Sequence, residues 1–181
     1  MSLRGALATI AAFLVLSLAV IAVVIGSGVY DFAADSPHAA VMTKLIGFAR
    51  ERSIEVRAAG VKVPPLGNPA MTREGAEHYA EMCVSCHLAP GVPENEMRPG
   101  MNPKPPVLAS VPPEEPAEQF WIIKHGLKMT AMPAWGTTHS DQEIWNMVAF
   151  LQRLPSMPVQ QYRGLTQEAH AHHEHMKDME Q

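Results

Sequence analysis

Thiols are scarce in this chain. The only cysteines are Cys83 and Cys86, so all thiol chemistry is confined to one short motif. No second C-x-x-C stands elsewhere, which leaves a zinc site without the Cys or His pairs that usually complete its four ligands; only histidines near the end of the sequence keep that option open. The βαβ pattern that surrounds a thioredoxin-like redox dithiol is also missing, and a simple Cys83–Cys86 disulfide leaves the neighbouring histidine unexplained. Cationic blocks are absent too: the formal net charge is -4, and nothing in it tracks phosphates, so nucleic acid binding is not supported. Proline, at 16 residues, and methionine, at 12, are by contrast abundant. A length of 181 residues allows one core of ordinary size with extensions, or at most two small domains.

The cysteines belong to Cys83-Val84-Ser85-Cys86-His87. C-x-x-C-H is the pattern of covalent c-type haem attachment. Two thiols at that spacing bond the two vinyl groups of one porphyrin, and the histidine that follows is held against the iron. The expectation is one covalent haem c, with His87 as an axial ligand.

From Ala6 to Ile25 the chain has no charged residue, and the uncharged stretch runs on to Tyr30. About 20 such residues in a helix span a hydrocarbon core of roughly 30 Å. Arg4 precedes the run, while Asp31 and Asp35 follow it, which puts the short amino end in the cytoplasm. Residues 1–30 are expected to be a cytoplasmic amino terminus and an uncleaved single-pass anchor. A cleaved signal peptide is the alternative; its apolar region is shorter, and Ile25-Gly26-Ser27-Gly28-Val29-Tyr30 is a poor cleavage site. Either way the haem motif lies outside the cytoplasm, in the periplasm of a bacterial-type inner membrane.

Residues 31–69 read as a connector. A helix over roughly 37–59 carries a stripe of Val41, Leu45, Phe48 and Ile54, which either packs on its own domain or faces a partner subunit or the membrane. Val63-Pro64-Pro65-Leu66-Gly67-Asn68-Pro69 then reads as an extended linker, with a domain boundary near residue 70.

Residues 70–158 read as an all-α domain. A helix capped at Thr72 leads into the haem motif, with Gly75 and Tyr79 on one face. A proline-rich loop follows, and Pro103, Pro105 and Pro106 are candidates to offer the carbonyl that a ligating histidine needs at its second ring nitrogen. Glu114 to His125 reads as another helix, ended by Gly126. Ser140 and Glu143 form a capping box for a last helix with Ile144, Met147, Val148 and Leu151 on its apolar face.

The ordered set resembles the class I cytochrome c family, in which the first and last helices cross at close range. The resemblance implies that Gly75 permits that crossing and that Tyr79 packs near Met147 and Phe150. Pro106-Val107-Leu108 resembles the family's Pro-x-Leu segment. Met132-Pro133-Ala134 resembles its methionine loop, which implies Met132 as the second axial ligand, with Met129 as the alternative. His125 offers bis-His ligation in principle, although its place before Gly126 suits capping or exposure. Lys124 and Lys128, beside the methionine loop, are charges available to steer a partner.

Residues 159–181 read as a polar tail in which His170, His172, His173 and His175 form a possible second metal site for Cu, Ni or Zn, or else a solvated segment. The expected function is one-electron transfer by a membrane-anchored monohaem cytochrome with His87/Met132 ligation, acting with redox partner proteins and without catalysis of its own. The competing readings are a haem subunit of a respiratory or dehydrogenase complex, a haem enzyme with an open sixth position, and a metal-handling protein that uses the tail.

Overall fold

The computed structural model describes residues 2–167, and among these every regular element is helical. The chain divides between Pro37 and His38 into two units.

The first unit holds helix α1, Leu3–Gly26. Ser2 caps it by accepting from the Gly5 amide. Thr9 and Ser17 return their hydroxyls to the Gly5 and Phe13 carbonyls, so these polar side chains are satisfied within the helix, as a lipid environment demands. With 24 residues and a mean hydropathy of 2.9, α1 is long and apolar enough to cross a membrane.

The second unit runs through α2 (Ala40–Ala58), α3 (Pro69–His78), a π-helical turn (Tyr79–Cys83), α4 (Val84–His87), α5 (Pro116–His125) and α6 (Asp141–Leu151). A further helical stretch covers residues 159–167. The first of its core helices starts earlier than the Thr72 cap expected from sequence. Asn68 is the cap, its Oδ1 accepting from the Ala70 amide at 3.0 Å, and Pro69 occupies the first position, where its missing N–H costs nothing and its φ is already helical. Thr72 is buried inside α3, and its hydroxyl has no hydrogen-bond partner among the described residues. The expected cap on α6 is present in both directions: the Glu143 amide donates to Ser140 Oγ, and the Ser140 amide donates to Glu143 Oε2 at 2.7 Å.

The core lies where α3 crosses α6. A Cβ at Gly75 would overlap the Asn146 carbonyl oxygen and stand 2.9 Å from Phe150 Cβ, so the crossing is close enough to require glycine. Tyr79 and Phe150 rings pack 5.1 Å apart. Helix α6 is buried from Ile144 to Leu151, more than one face, because α5 covers its other side and stacks Phe120 on Trp145 at 4.2 Å. Asn146 is tolerated in this core because Glu74 Oε2 accepts from its Nδ2 at 2.5 Å and its Oδ1 accepts from Gln142 at 2.9 Å.

Two segments pack differently from the sequence reading. In α2, Ile54 and Ala58 are buried, and the helix packs on α5, whereas Val41, Leu45 and Phe48 are 70%, 58% and 68% exposed. At 3.6 residues per turn Ile54 sits about 120–140° around the cylinder from Phe48 and Val41, so the four do not form one stripe; the helix has two apolar faces. After α6, the segment read as the start of a polar tail sends Tyr162 into the core, 5% exposed and 6.3 Å from the Phe150 ring. His170, His172, His173 and His175 lie outside the described residues.

Candidate functional site

The haem motif occupies the end of the π turn and all of α4. Leu88 ends α4 at a φ of 57°, and its carbonyl accepts from the Tyr79 hydroxyl at 2.5 Å. The turn that carries the motif is thus fastened to the α3/α6 core. Burial pushes the Tyr79 phenol above its ordinary pKa, which keeps it a donor.

His87 Nδ1 lies 3.0 Å from the Pro106 carbonyl oxygen. A carbonyl only accepts, so Nδ1 carries the proton and Nε2 keeps its lone pair for a metal. Burial holds the His87 pKa below the ordinary value, the Pro106 bond opposes that shift, and the Arg98 charge adds to it. The net direction favours the neutral imidazole that metal binding needs. Of the three prolines weighed from sequence, Pro106 supplies the carbonyl, and the Ser110 amide fixes the next residue by donating to Val107 O at 2.8 Å.

Cys83 and Cys86 are not joined to each other by a disulfide. Burial, followed by the proximity of Cys86, pushes the Cys83 thiol up to about 12. A redox dithiol works through a lowered thiol pKa, so this environment does not suit a thioredoxin-like pair.

Met132 stands in a loop built for close approach. Gly126 has a φ of 65°, and a Cβ there would meet Met132 O, Pro133 C and Ala134 N at 2.7–2.8 Å. The Leu127 amide donates to Met132 O at 3.2 Å. Thr130 Oγ1 donates to Leu127 O and accepts from the Met132 amide at 3.0 Å. These bonds leave the Met132 thioether half-buried against the core.

Cys83, Cys86, His87 and Met132 all line one cleft of about 670 Å³, within the range of cofactor sites. Its walls include apolar Met82, Ile123 and Leu127 as well as Ile54 from α2. The donor set, two thiols at attachment spacing, an imidazole with its free nitrogen and a thioether, fits a haem. Met129, the alternative axial residue, is 78% exposed at a φ of 59° and does not line the cleft. His125 is exposed, with its ring 5.0 Å from Trp121. Lys124 pairs with Asp141 at 2.6 Å, while Lys128 is exposed. No group of three or more His, Cys, Asp and Glu side chains gathers as a metal site among the described residues.

Sequence reasoning did not find the contribution of α2 to the cleft wall, nor Asn95 and Arg98 from the proline-rich loop. Asn95 Nδ2 donates to Ser85 O at 2.5 Å, and Arg98 Nε donates to Cys86 O at 2.6 Å. The available signal was a cluster of charge, Glu94, Glu96, Arg98 and Lys104, in a loop otherwise read only for its prolines.

Residues 70–151 match the family model described as cytochrome c oxidase, cbb3-type, subunit III. No curated protein and no solved structure matches the chain.

Proposed function

Starting from residues 70–151 as a class I c-type cytochrome domain that carries covalent haem c, we propose that this chain is a membrane-anchored electron carrier in which Cys83 and Cys86 hold the haem and His87 and Met132 ligate its iron. The observation that carries the reading is that these four side chains, three from the turn at α4 and one from the loop after α5, line one cleft. Bound there, the haem supplies a one-electron couple. The residues do the rest: the Pro106 carbonyl orients the His87 ring, Thr130 and Leu127 set the Met132 backbone, and Met82, Ile123 and Ile54 exclude water from the cleft. A thioether ligand raises the reduction potential and closes the sixth position to small molecules. Helix α1 serves as the anchor, with Arg4 on the cytoplasmic side and the second unit in the periplasm.

Carbon monoxide added to the reduced protein tests this reading. A carrier with both axial positions filled leaves the spectrum unchanged at neutral pH; rapid, stoichiometric binding would replace it with the open-site enzyme reading. A second reading, a haem subunit of a larger membrane complex, is favoured by the exposed apolar stripe of Val41, Leu45 and Phe48, on a different face of α2 from Ile54 and Ala58, by which it packs. Co-purification of a stoichiometric partner in mild detergent, lost on replacing the stripe with Ser, supports that reading; a monodisperse single chain supports the free carrier.

A further inference from the structure

Arg98 is 2% exposed, in a proline-rich loop at the edge of the haem cleft. Burying a guanidinium is unfavourable unless its donors are met. Here Nε donates to Cys86 O at 2.6 Å, Nη1 to Glu94 Oε1 at 2.7 Å and Nη2 to Pro105 O at 2.5 Å. The first carbonyl belongs to the last turn of α4, where no intrahelical donor remains, one residue before His87. The last belongs to the residue before Pro106, whose own carbonyl accepts from His87 Nδ1. A planar fork thus ties together the two backbone segments that meet at the His87 ring. Pro105 and Pro106 have no N–H of their own, so hydrogen bonds can hold this stretch only through its carbonyls. Asn95 reinforces the tie: Nδ2 donates to Ser85 O, and Oδ1 accepts from the Arg98 amide at 3.2 Å. Glu94 is shared with Lys104 at 2.6 Å, so its carboxylate does not neutralise Arg98 alone.

We propose that Arg98 is a positioning residue for the axial histidine: its guanidinium holds the Pro106 carbonyl on His87 Nδ1, fixing the tautomer and orientation of the ring, and it keeps a permanent positive charge beside the attachment helix. This rests on the reading of His87 as an iron ligand. Both effects act on the haem, but through different properties of the side chain. The ring is held by the fork geometry, and the reduction potential responds to the charge. A lysine keeps the charge and loses the fork; a methionine loses both.

The test uses the haem-loaded full-length protein in its reduced state, as wild type, Arg98→Lys and Arg98→Met, with solvent exchange of the His87 Nδ1 proton followed by NMR and the reduction potential measured in parallel. A strongly ring-current-shifted His87 resonance in the wild type checks the ligation reading by itself; its absence there overturns that reading whatever the variants do. With it present, Nδ1–H exchange is expected to be about tenfold faster in both variants, the scale of one lost charge-assisted hydrogen bond. The reduction equilibrium constant of Arg98→Met is expected to be about threefold below that of Arg98→Lys, near 28 mV at 59 mV per tenfold for one electron. Wild-type exchange in a haem-loaded variant overturns the positioning role, and equal potentials in the two variants overturn the charge effect. Should Arg98→Met take up no haem, Arg98→Lys decides alone: faster exchange at a potential no lower than that of the wild type upholds the proposal, and wild-type exchange overturns it.

Discussion

Replacing Gly75 with alanine puts one methyl group where α3 touches α6. On an exposed helical surface that change is favourable by up to about 1 kcal/mol, because alanine restricts the unfolded backbone and glycine does not. At Gly75 the added carbon meets the Asn146 backbone carbonyl and Phe150 Cβ. Neither can swing aside, since one is main chain and the other is fixed to a fully buried helix segment, so the helices must separate. Overpacking of this kind costs about 1–3 kcal/mol, and the backbone clash places Gly75 at the upper end. Subtracting the helix-propensity gain leaves a net loss of about 2 kcal/mol. Gly47, in α2 with nothing within 4 Å of its Cβ position, is the control and should gain up to about 1 kcal/mol as alanine. Denaturant unfolding of the haem-loaded protein, followed by haem absorbance, compares the two. Equal stabilisation by both substitutions would refute the close crossing.

Tyr162→Ala removes a buried ring that packs on Phe150 and is expected to cost about 3 kcal/mol or more; a thermal midpoint unchanged from wild type would return residues 159–167 to the status of a tail. Glu143 is held below the ordinary carboxylate pKa, first by the Ser140 hydroxyl and then by the Ser140 amide. A depressed carboxylate contributes stability that is fully present above its unfolded pKa and lost as pH falls through the folded value, so Glu143→Gln should flatten part of the acid limb of the stability profile and leave its slope above neutrality unchanged. An unaltered acid limb would mean that the capping box is not formed in solution.

The parts of the fold that were legible in sequence are those whose cause is local. Cys83, Cys86 and His87 declare covalent attachment through spacing alone, Ser140 and Glu143 cap within one turn, and Gly126 ends α5 by a φ that glycine adopts freely. Gly75 became legible only through the resemblance, because its reason is Asn146, 71 positions on. What stayed hidden depends on partners far along the chain. Helix α2 carries apolar residues on two faces, and periodicity does not tell which face meets α5. Asn68-Pro69 carries the signals of a linker end and of a helix start alike. Arg98 looks like a surface charge until the loop folds it back on Cys86 and Pro105.

The central claim is that His87 and Met132, which line one cleft, would together hold the iron of a haem bound there. The absorption and magnetic circular dichroism spectra of the oxidised protein report thioether ligation directly through its charge-transfer band, measured for the wild type, Met132→Ala and Met129→Ala. The band is expected in the wild type and in Met129→Ala, and its loss is expected in Met132→Ala. Its absence from the wild type, or its survival in Met132→Ala, would contradict the account.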